Sequence, residues 1–265
     1  MRIIVPIKQV PETKSVRMDE ATGTVIREGI ESIINPLDLY AIETAIQLKE
    51  KCGGETIALT MGPPSAIDAL REAIAMGLDS ALFITDKAIK GSDTWATAYV
   101  LAEAIKQIKD YDLIICGERA TDGETGQVGP GIASHLDLPA ITYVRKVEQI
   151  SEDGCKVLRM VEDGSEKLTF SFPGLMTVVK EVCVPRLPTL RGKKRAKQIE
   201  IPVMGTVELN LDISKIGLTG SPTHVEKIFK PKVARECEKV FAKDEEGVAG
   251  AVDRLSAFLK QKEII

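Results

Sequence analysis

The segment best equipped for chemistry is CGERATDGETGQVGPG, residues 116–131, and the chemistry it suits is phosphate binding. Gly123, Gly126 and Gly129 let the backbone come close to a ligand. Thr125 offers a hydroxyl, and the amides that open a helix expected at 128–136 attract an anion. The order is neither G-x-G-x-x-G nor G-x-x-x-x-G-K-[ST], so the common dinucleotide fingerprint and the P-loop are both missing. Asp122 and Glu124 stand in the same segment beside Arg119. No histidine or nucleophile accompanies them, so the two carboxylates read as loop-stiffening groups rather than an acid–base pair.

Two helix starts carry polar groups that bear on the same question. Asn35-Pro36-Leu37-Asp38 puts an amide and a carboxylate where a ribose or base could hydrogen-bond. N-capping by Asn35, with Pro36 at the first helical position, accounts for the same residues equally well. Asp93-Thr94, ahead of WATAYVLAEAIKQI, is open to the same two readings.

Other chemistries lack material. Cys52, Cys116, Cys155, Cys183 and Cys237 form no CxxC pair, and the two histidines, His135 and His224, are far apart, so no metal site and no Ser-His arrangement is encoded. A net charge of -4 disfavours nucleic acid as a partner of the whole chain. The local exception is the basic run Arg191-Gly192-Lys193-Lys194-Arg195-Ala196-Lys197, which has no aromatics on which bases could stack. No apolar run reaches the ~20 residues that a bilayer requires, and the start, MRIIVPIKQVPETK, lacks the order of a signal peptide. A cytoplasmic protein without membrane insertion is expected.

The elements that must position the glycine-rich loop follow from periodicity. Apolar runs at 2–8, 55–61, 80–84 and 112–116 read as buried strands, with 138–144 as a further short one. Helices are expected over 35–51, ended by Gly53-Gly54, after Gly62-Pro63-Pro64, over 95–108, and over 128–136. Strand and helix alternate, which implies an α/β fold with an open, doubly wound parallel sheet, Rossmann-like in its winding. Such sheets bind ligands beyond the carboxyl ends of their strands. After about residue 145 the pattern changes to alternating segments with a hairpin turn at Asp163-Gly164, a small antiparallel addition. From Pro185 periodicity is weak and an extended arm is expected, closed by a helix over roughly 243–262 with Val248, Val252, Leu255 and Leu259 on one face.

At VPIKQVPET, INPLDLYAIETAIQLKE, LTMGPPSAIDALREAIAMG, GSDTWATAYVLAEAI and CGERATDGETGQVGPGIASHLDLPAITYV the chain resembles the electron transfer flavoprotein beta subunit family. LPTLRGKKRAKQIEI resembles that family's partner-recognition loop, and GLTGSPTHV its C-terminal arm. The resemblance implies three parts: an adenine-nucleotide-binding α/β domain over 1–184, a partner-recognition loop over 185–201, and a C-terminal arm and helix over 202–265 that packs on an alpha subunit. It implies a heterodimer in which the alpha subunit holds an FAD and which exchanges electrons with a partner dehydrogenase or quinone oxidoreductase.

By the same resemblance the adenine nucleotide is lined by Pro6, Asn35, Pro36, Leu37, Asp38 and Met61, with Asp93 and Thr94 nearby. The loop supplies Gly117, Arg119, Ala120, Thr121, Asp122, Gly123, Glu124, Thr125, Gly126, Gln127 and Val128. Ordinary members hold AMP there and electron-bifurcating members hold a second FAD. The form T-D-G-E-T-G-Q-V-G-P is closer to the bifurcating type, in which NADH passes a hydride to this flavin. Small residues and free amides at 123–128 also leave room for a second phosphate and a ribityl chain. Leu190 stands where the family's partner anchor lies, flanked by Arg191, Lys193 and Lys194. A universal-stress-type nucleotide-binding module shares the sheet and the adenine site, but it predicts a homodimer without flavin.

Overall fold

The computed structural model describes residues 1–12, 17–18, 25–26, 31–226 and 239–265; Cys237 and the end of the VPIKQVPET segment lie outside them. The strands, in chain order, are β1 (Arg2–Pro6), β2 (Gln9–Pro11), β3 (Arg17–Met18), β4 (Val25–Ile26), β5 (Ser32–Ile34), β6 (Glu55–Met61), β7 (Ser80–Ile84), β8 (Leu113–Gly117), β9 (Ala140–Ile150), β10 (Gly154–Val161), β11 (Gly164–Ser171), β12 (Gly174–Val178) and β13 (Val203–Met204). The helices are α1 (Asp38–Cys52), α2 (Ile67–Met76), α3 (Thr94–Ile108), α4 (Val128–Leu136), α5 (Leu190–Gln198), α6 (Gly217–Gly220) and α7 (Glu245–Gln261).

Nine strands form one sheet in the order β11-β10-β9-β12-β8-β1-β6-β7-β13. From β9 through β13 along that order all neighbours run parallel, whereas β10 pairs antiparallel with both β9 and β11. Two short antiparallel pairs, β2 with β5 and β3 with β4, stand apart.

Both faces of the sheet are covered, and the alternation of side chains shows how. Ile3 and Val5 of β1, with Leu113 and Ile115 of β8, enter one core with Ile42 of α1, Ile74 of α2 and Ala196 of α5. Ile4, Ile114 and Cys116 point the other way, into a second core with Val100 and Ile105 of α3 and Ile132 of α4. Continuous apolar strands are what a sheet buried on both faces requires. The doubly wound arrangement expected from the sequence is therefore present.

Chain order along the sheet locates the site. From β1 the chain winds to β6 and β7 on one side, then returns to place β8 on the other side of β1. The order reverses between β1 and β8, and open α/β sheets bind ligands beyond the strand ends at such a point.

Several expectations need correction. The helix expected from Asn35 begins at Asp38, because the Asn35 side chain bonds the 119–121 loop instead of capping; Leu37 holds the cap position without a side-chain bond. The hairpin turn is Glu162-Asp163, since Val161 and Gly164 are already paired. The strand expected over 138–144 runs from Ala140 to Ile150.

Residues 190–198, expected as loop, form α5. Its inner side meets α2 through Gly192, Arg195 and Ala196: Arg195 Nη2 donates to the carbonyls of Ile74 (2.8 Å) and Leu78, and Arg71 donates to the Ala196 carbonyl. A Cβ on Gly192 would overlap the Ala75 carbonyl oxygen. Beyond α5, β13 extends the sheet along β7, and Leu209, Leu211 and Ile216 join the second core. One compact unit spans Met1–Lys227.

The second unit, Ile228–Ile265, contains α7, capped by Asp244, whose carboxylate accepts from Gly247 N at 2.8 Å. Val248, Val252, Leu255 and Phe258 of α7 are exposed apolar residues. Among the described residues no helix is long and apolar enough to cross a membrane.

Candidate functional site

Three segments meet at the switch point: Lys8, two residues past the end of β1, the start of α1, and the loop after β8. Asn35 is their junction and is 0% exposed. Its backbone N–H donates to the Lys8 carbonyl (2.8 Å), and its Nδ2 donates to Asp38 Oδ1 and to the Arg119 carbonyl, both at 2.9 Å. Its Oδ1 accepts from Thr121 N at 3.1 Å. The side-chain amide is thus used on both its oxygen and its nitrogen.

Asp38 completes the junction by accepting from Lys8 N at 2.7 Å. Burial pushes its carboxyl up to about 7, against the opposing pull of the Lys8 and Asn35 donors. The start of α1 packs so closely on β8 that a Cβ at Gly117 would overlap Asp38 Oδ1 and lie 2.9 Å from the Leu37 carbonyl carbon. Glycine is required there by space. Behind this junction, Cys116 is buried and its thiol is pushed far up, which removes it as a nucleophile.

From Gly117 the loop leaves the sheet. Glu118 pairs with Arg119 at 2.7 Å, and Asp122 takes both its oxygens to Lys8 Nζ, at 2.7 and 2.8 Å. The amides of Gly123 and Glu124 turn back to the Ala120 carbonyl, with Glu124 at φ 52° and Gly126 at φ 63°. The loop then enters α4, whose cap residue Gln127 makes no side-chain bond to the helix. The first-turn amides of α4 are therefore left without a side-chain acceptor, the condition that makes a helix start an anion site. Gly129 lets α4 sit against the sheet: a Cβ there would lie 2.8 Å from Thr177 Cγ2.

The residues expected to line the site divide. Asn35, Asp38, Arg119, Thr121 and Asp122 are joined by the bonds above, and Thr94 is brought to the loop by a 2.9 Å bond between its hydroxyl and Gln127 Oε1. Pro6 is buried at the end of β1, two residues before Lys8; Pro36 is exposed and Leu37 half-buried just ahead of α1. Thr125 and Glu124 are exposed on the loop. Met61 ends β6 and packs against the second core. Asp93 is engaged elsewhere: it caps α3 through Ala96 N (3.0 Å) and accepts from Thr223 N and Oγ1 at 3.0 and 2.7 Å.

Lys8 was not among the expected site residues; the strand expected over 2–8 contained it, whereas β1 ends at Pro6 and leaves Lys8 beyond the strand end. Among the described residues no group of His, Cys, Asp and Glu could hold a metal. His135 packs its ring against Trp95 and Tyr99, and burial lowers its pKa. The arrangement presents uncapped helix amides that can accept an anion, and among the described residues it sets no activated nucleophile beside them.

A second surface lies at 184–198. Val184, Leu187 and Leu190 are 86, 85 and 88% exposed at three-residue spacing. Between them Arg186 is fixed to α1, with Nε and Nη2 on Glu43 (2.8 and 3.0 Å) and Nη1 on Glu50 (2.7 Å). That pairing holds the Glu43 carboxyl below its usual range although burial opposes it. Of the five cations in the basic run, Arg195 is turned inward, while Arg191, Lys193, Lys194 and Lys197 are exposed.

An electron transfer flavoprotein domain matches residues 22–205. The chain is 46% identical over 258 residues to the electron transfer flavoprotein subunit beta of Thermoanaerobacterium thermosaccharolyticum, covering 97% of this chain and 98% of the relative. It is 42% identical over 266 residues to the caffeyl-CoA reductase-Etf complex subunit CarD of Acetobacterium woodii, covering both chains fully. It is 41% identical over 243 residues to the protein FixA of Azorhizobium caulinodans, covering 89% and 86%.

Proposed function

The chain belongs to the electron transfer flavoprotein family, as a beta subunit that pairs with an alpha subunit, and from that premise we propose that it holds FAD in the crevice between the ends of β1 and β8. The observation that carries this reading is the open start of α4 next to two unobstructed glycines. A Cβ at Gly123 would meet nothing within 4 Å, and one at Gly126 would meet only the Glu118 carbonyl, at 3.4 Å. Amides there bind phosphate without a lysine loop, and the free space suits a dinucleotide better than AMP. The nearby carboxylates Asp122 and Glu118 are already paired with Lys8 and Arg119, which lessens their repulsion of phosphate.

Bound FAD would take a hydride from NADH and pass the electrons on to two acceptors. The chain's own contribution is to hold and orient that group: Asn35 and Asp38 fix the loop, Gly117 and Gly129 allow its close packing, and the α4 start binds phosphate. No side chain here needs to act as acid or base, because the chemistry belongs to the cofactor.

Leu190, standing out from the clamped 184–189 segment, docks in an apolar pocket of a partner dehydrogenase, and the exposed cations of α5 steer it to an acidic surface. The name of the Acetobacterium relative, which couples it to a caffeyl-CoA reductase, supports a partner that acts on CoA esters. The apolar stripe of α7 packs on the alpha subunit.

Anaerobic titration with NADH tests the reading. The parent heterodimer should bleach, whereas a Gly126→Glu heterodimer, which puts a carboxylate against the phosphates, should keep its alpha-subunit FAD and no longer respond. An equal response would remove the nucleotide from this loop.

A further inference from the structure

Lys8 occupies the switch point but belongs to no glycine-rich or helix-start motif. Its backbone is fixed from both sides, by N–H donation to Asp38 Oδ2 (2.7 Å) and by acceptance from Asn35 N (2.8 Å). Its side chain therefore leaves from a fixed point, and Nζ reaches both oxygens of Asp122 at 2.7 and 2.8 Å. Asp122 directly follows Thr121, which is tied to Asn35, and directly precedes the turn in which Gly123 and Glu124 fold back on Ala120. Among the described residues, this pair is the side-chain tie between the stretch 122–126 and the rest of the fold.

We propose that Lys8 is a positioning residue that latches the nucleotide loop through Asp122 and does not itself hold the nucleotide's phosphates. The proposal rests on the reading that the nucleotide binds at 117–128. The ammonium is committed to the two oxygens of one carboxylate, and the phosphates are served by the amides of α4. Both partners are solvent-accessible, with side chains 49% and 33% exposed, so the pair is weak and salt-sensitive. That suits a loop which must open to admit a nucleotide and close on it.

The test uses the heterodimer and measures the Kd of FAD, and separately of AMP, at the second nucleotide site by equilibrium dialysis, with the alpha-subunit FAD as internal reference. Lys8→Met and Asp122→Ala should each weaken binding about fivefold at low salt, which is about 1 kcal/mol. Lys8→Arg should stay close to the parent. At about 0.5 M salt the variants should converge with the parent, because screening removes the pair there as well. The double variant should be no weaker than either single one, since each removes the same interaction. Parental affinity in Lys8→Met overturns the latch. So does tighter binding in Asp122→Ala, which would mean that the freed ammonium had moved to the phosphates. If Gly126→Glu also binds like the parent, the failure lies in the site assignment and not in the latch.

Discussion

Replacing Asn35 by alanine is the sharpest local perturbation. The side chain is fully buried and makes three hydrogen bonds, to Asp38 Oδ1, to the Arg119 carbonyl and from Thr121 N. Truncation leaves all three groups without that partner, and a buried polar group left unpaired costs about 1–3 kcal/mol. The three losses do not sum fully, because the bonds to Arg119 and Thr121 are only partly buried and water can reach their groups; Asp38 is 6% exposed and has less recourse. The total is roughly 2–4 kcal/mol. Urea unfolding of parent and variant heterodimers, at one protein concentration because subunit association enters the result, should show a lower midpoint with an unchanged slope. The 119–121 segment should lose this anchor at the same time, so nucleotide should dissociate faster. A stability loss below about 0.5 kcal/mol, the scale of a plain surface substitution, would refute the junction as described.

Asp38 makes a prediction with a definite sign. Its folded pKa, about 7, lies above the ordinary carboxyl value of 3.8, so its contribution to stability is fully present below about pH 4 and is lost as pH rises toward 7. About three pH units at 1.36 kcal/mol each give a loss of about 4 kcal/mol. Asp38→Asn should therefore gain on the parent in urea midpoint between pH 4 and 7, and parallel pH profiles would contradict the buried-carboxyl account. Leu190→Ala should leave unfolding unchanged, since the side chain is 88% exposed, while raising the KM for a partner dehydrogenase up to about tenfold with flavin content intact. Equal kinetics for variant and parent would remove the anchor.

The sheet was legible because its strands are continuous apolar runs that alternate with helices of clear period. The 128–136 helix and the Asp93 cap were readable for the same kind of reason, local sequence with a local cause. What escaped was non-local. The Lys8–Asp122 pair joins residues 114 apart in sequence, and the Arg186–Glu43 clamp joins residues 143 apart. Nothing in either segment announces the other. Asn35 stayed between two readings because its local motif fits a cap as well as a site, whereas its amide finds its partners at Arg119 and Thr121, 84 and 86 residues away. Helix α5 was missed because the side it turns to α2 is made of Gly192, Arg195 and Ala196, which carry little apolar signal. The insertion of β12 between β8 and β9 likewise depends on pairings that no run of residues displays.

The most direct test of the central claim is an inventory of nucleotides. The heterodimer with its alpha subunit is purified, denatured, and the released FAD and AMP are separated and counted. Two FAD per heterodimer and no AMP is the predicted result; one FAD with one AMP would contradict FAD at the 117–128 loop.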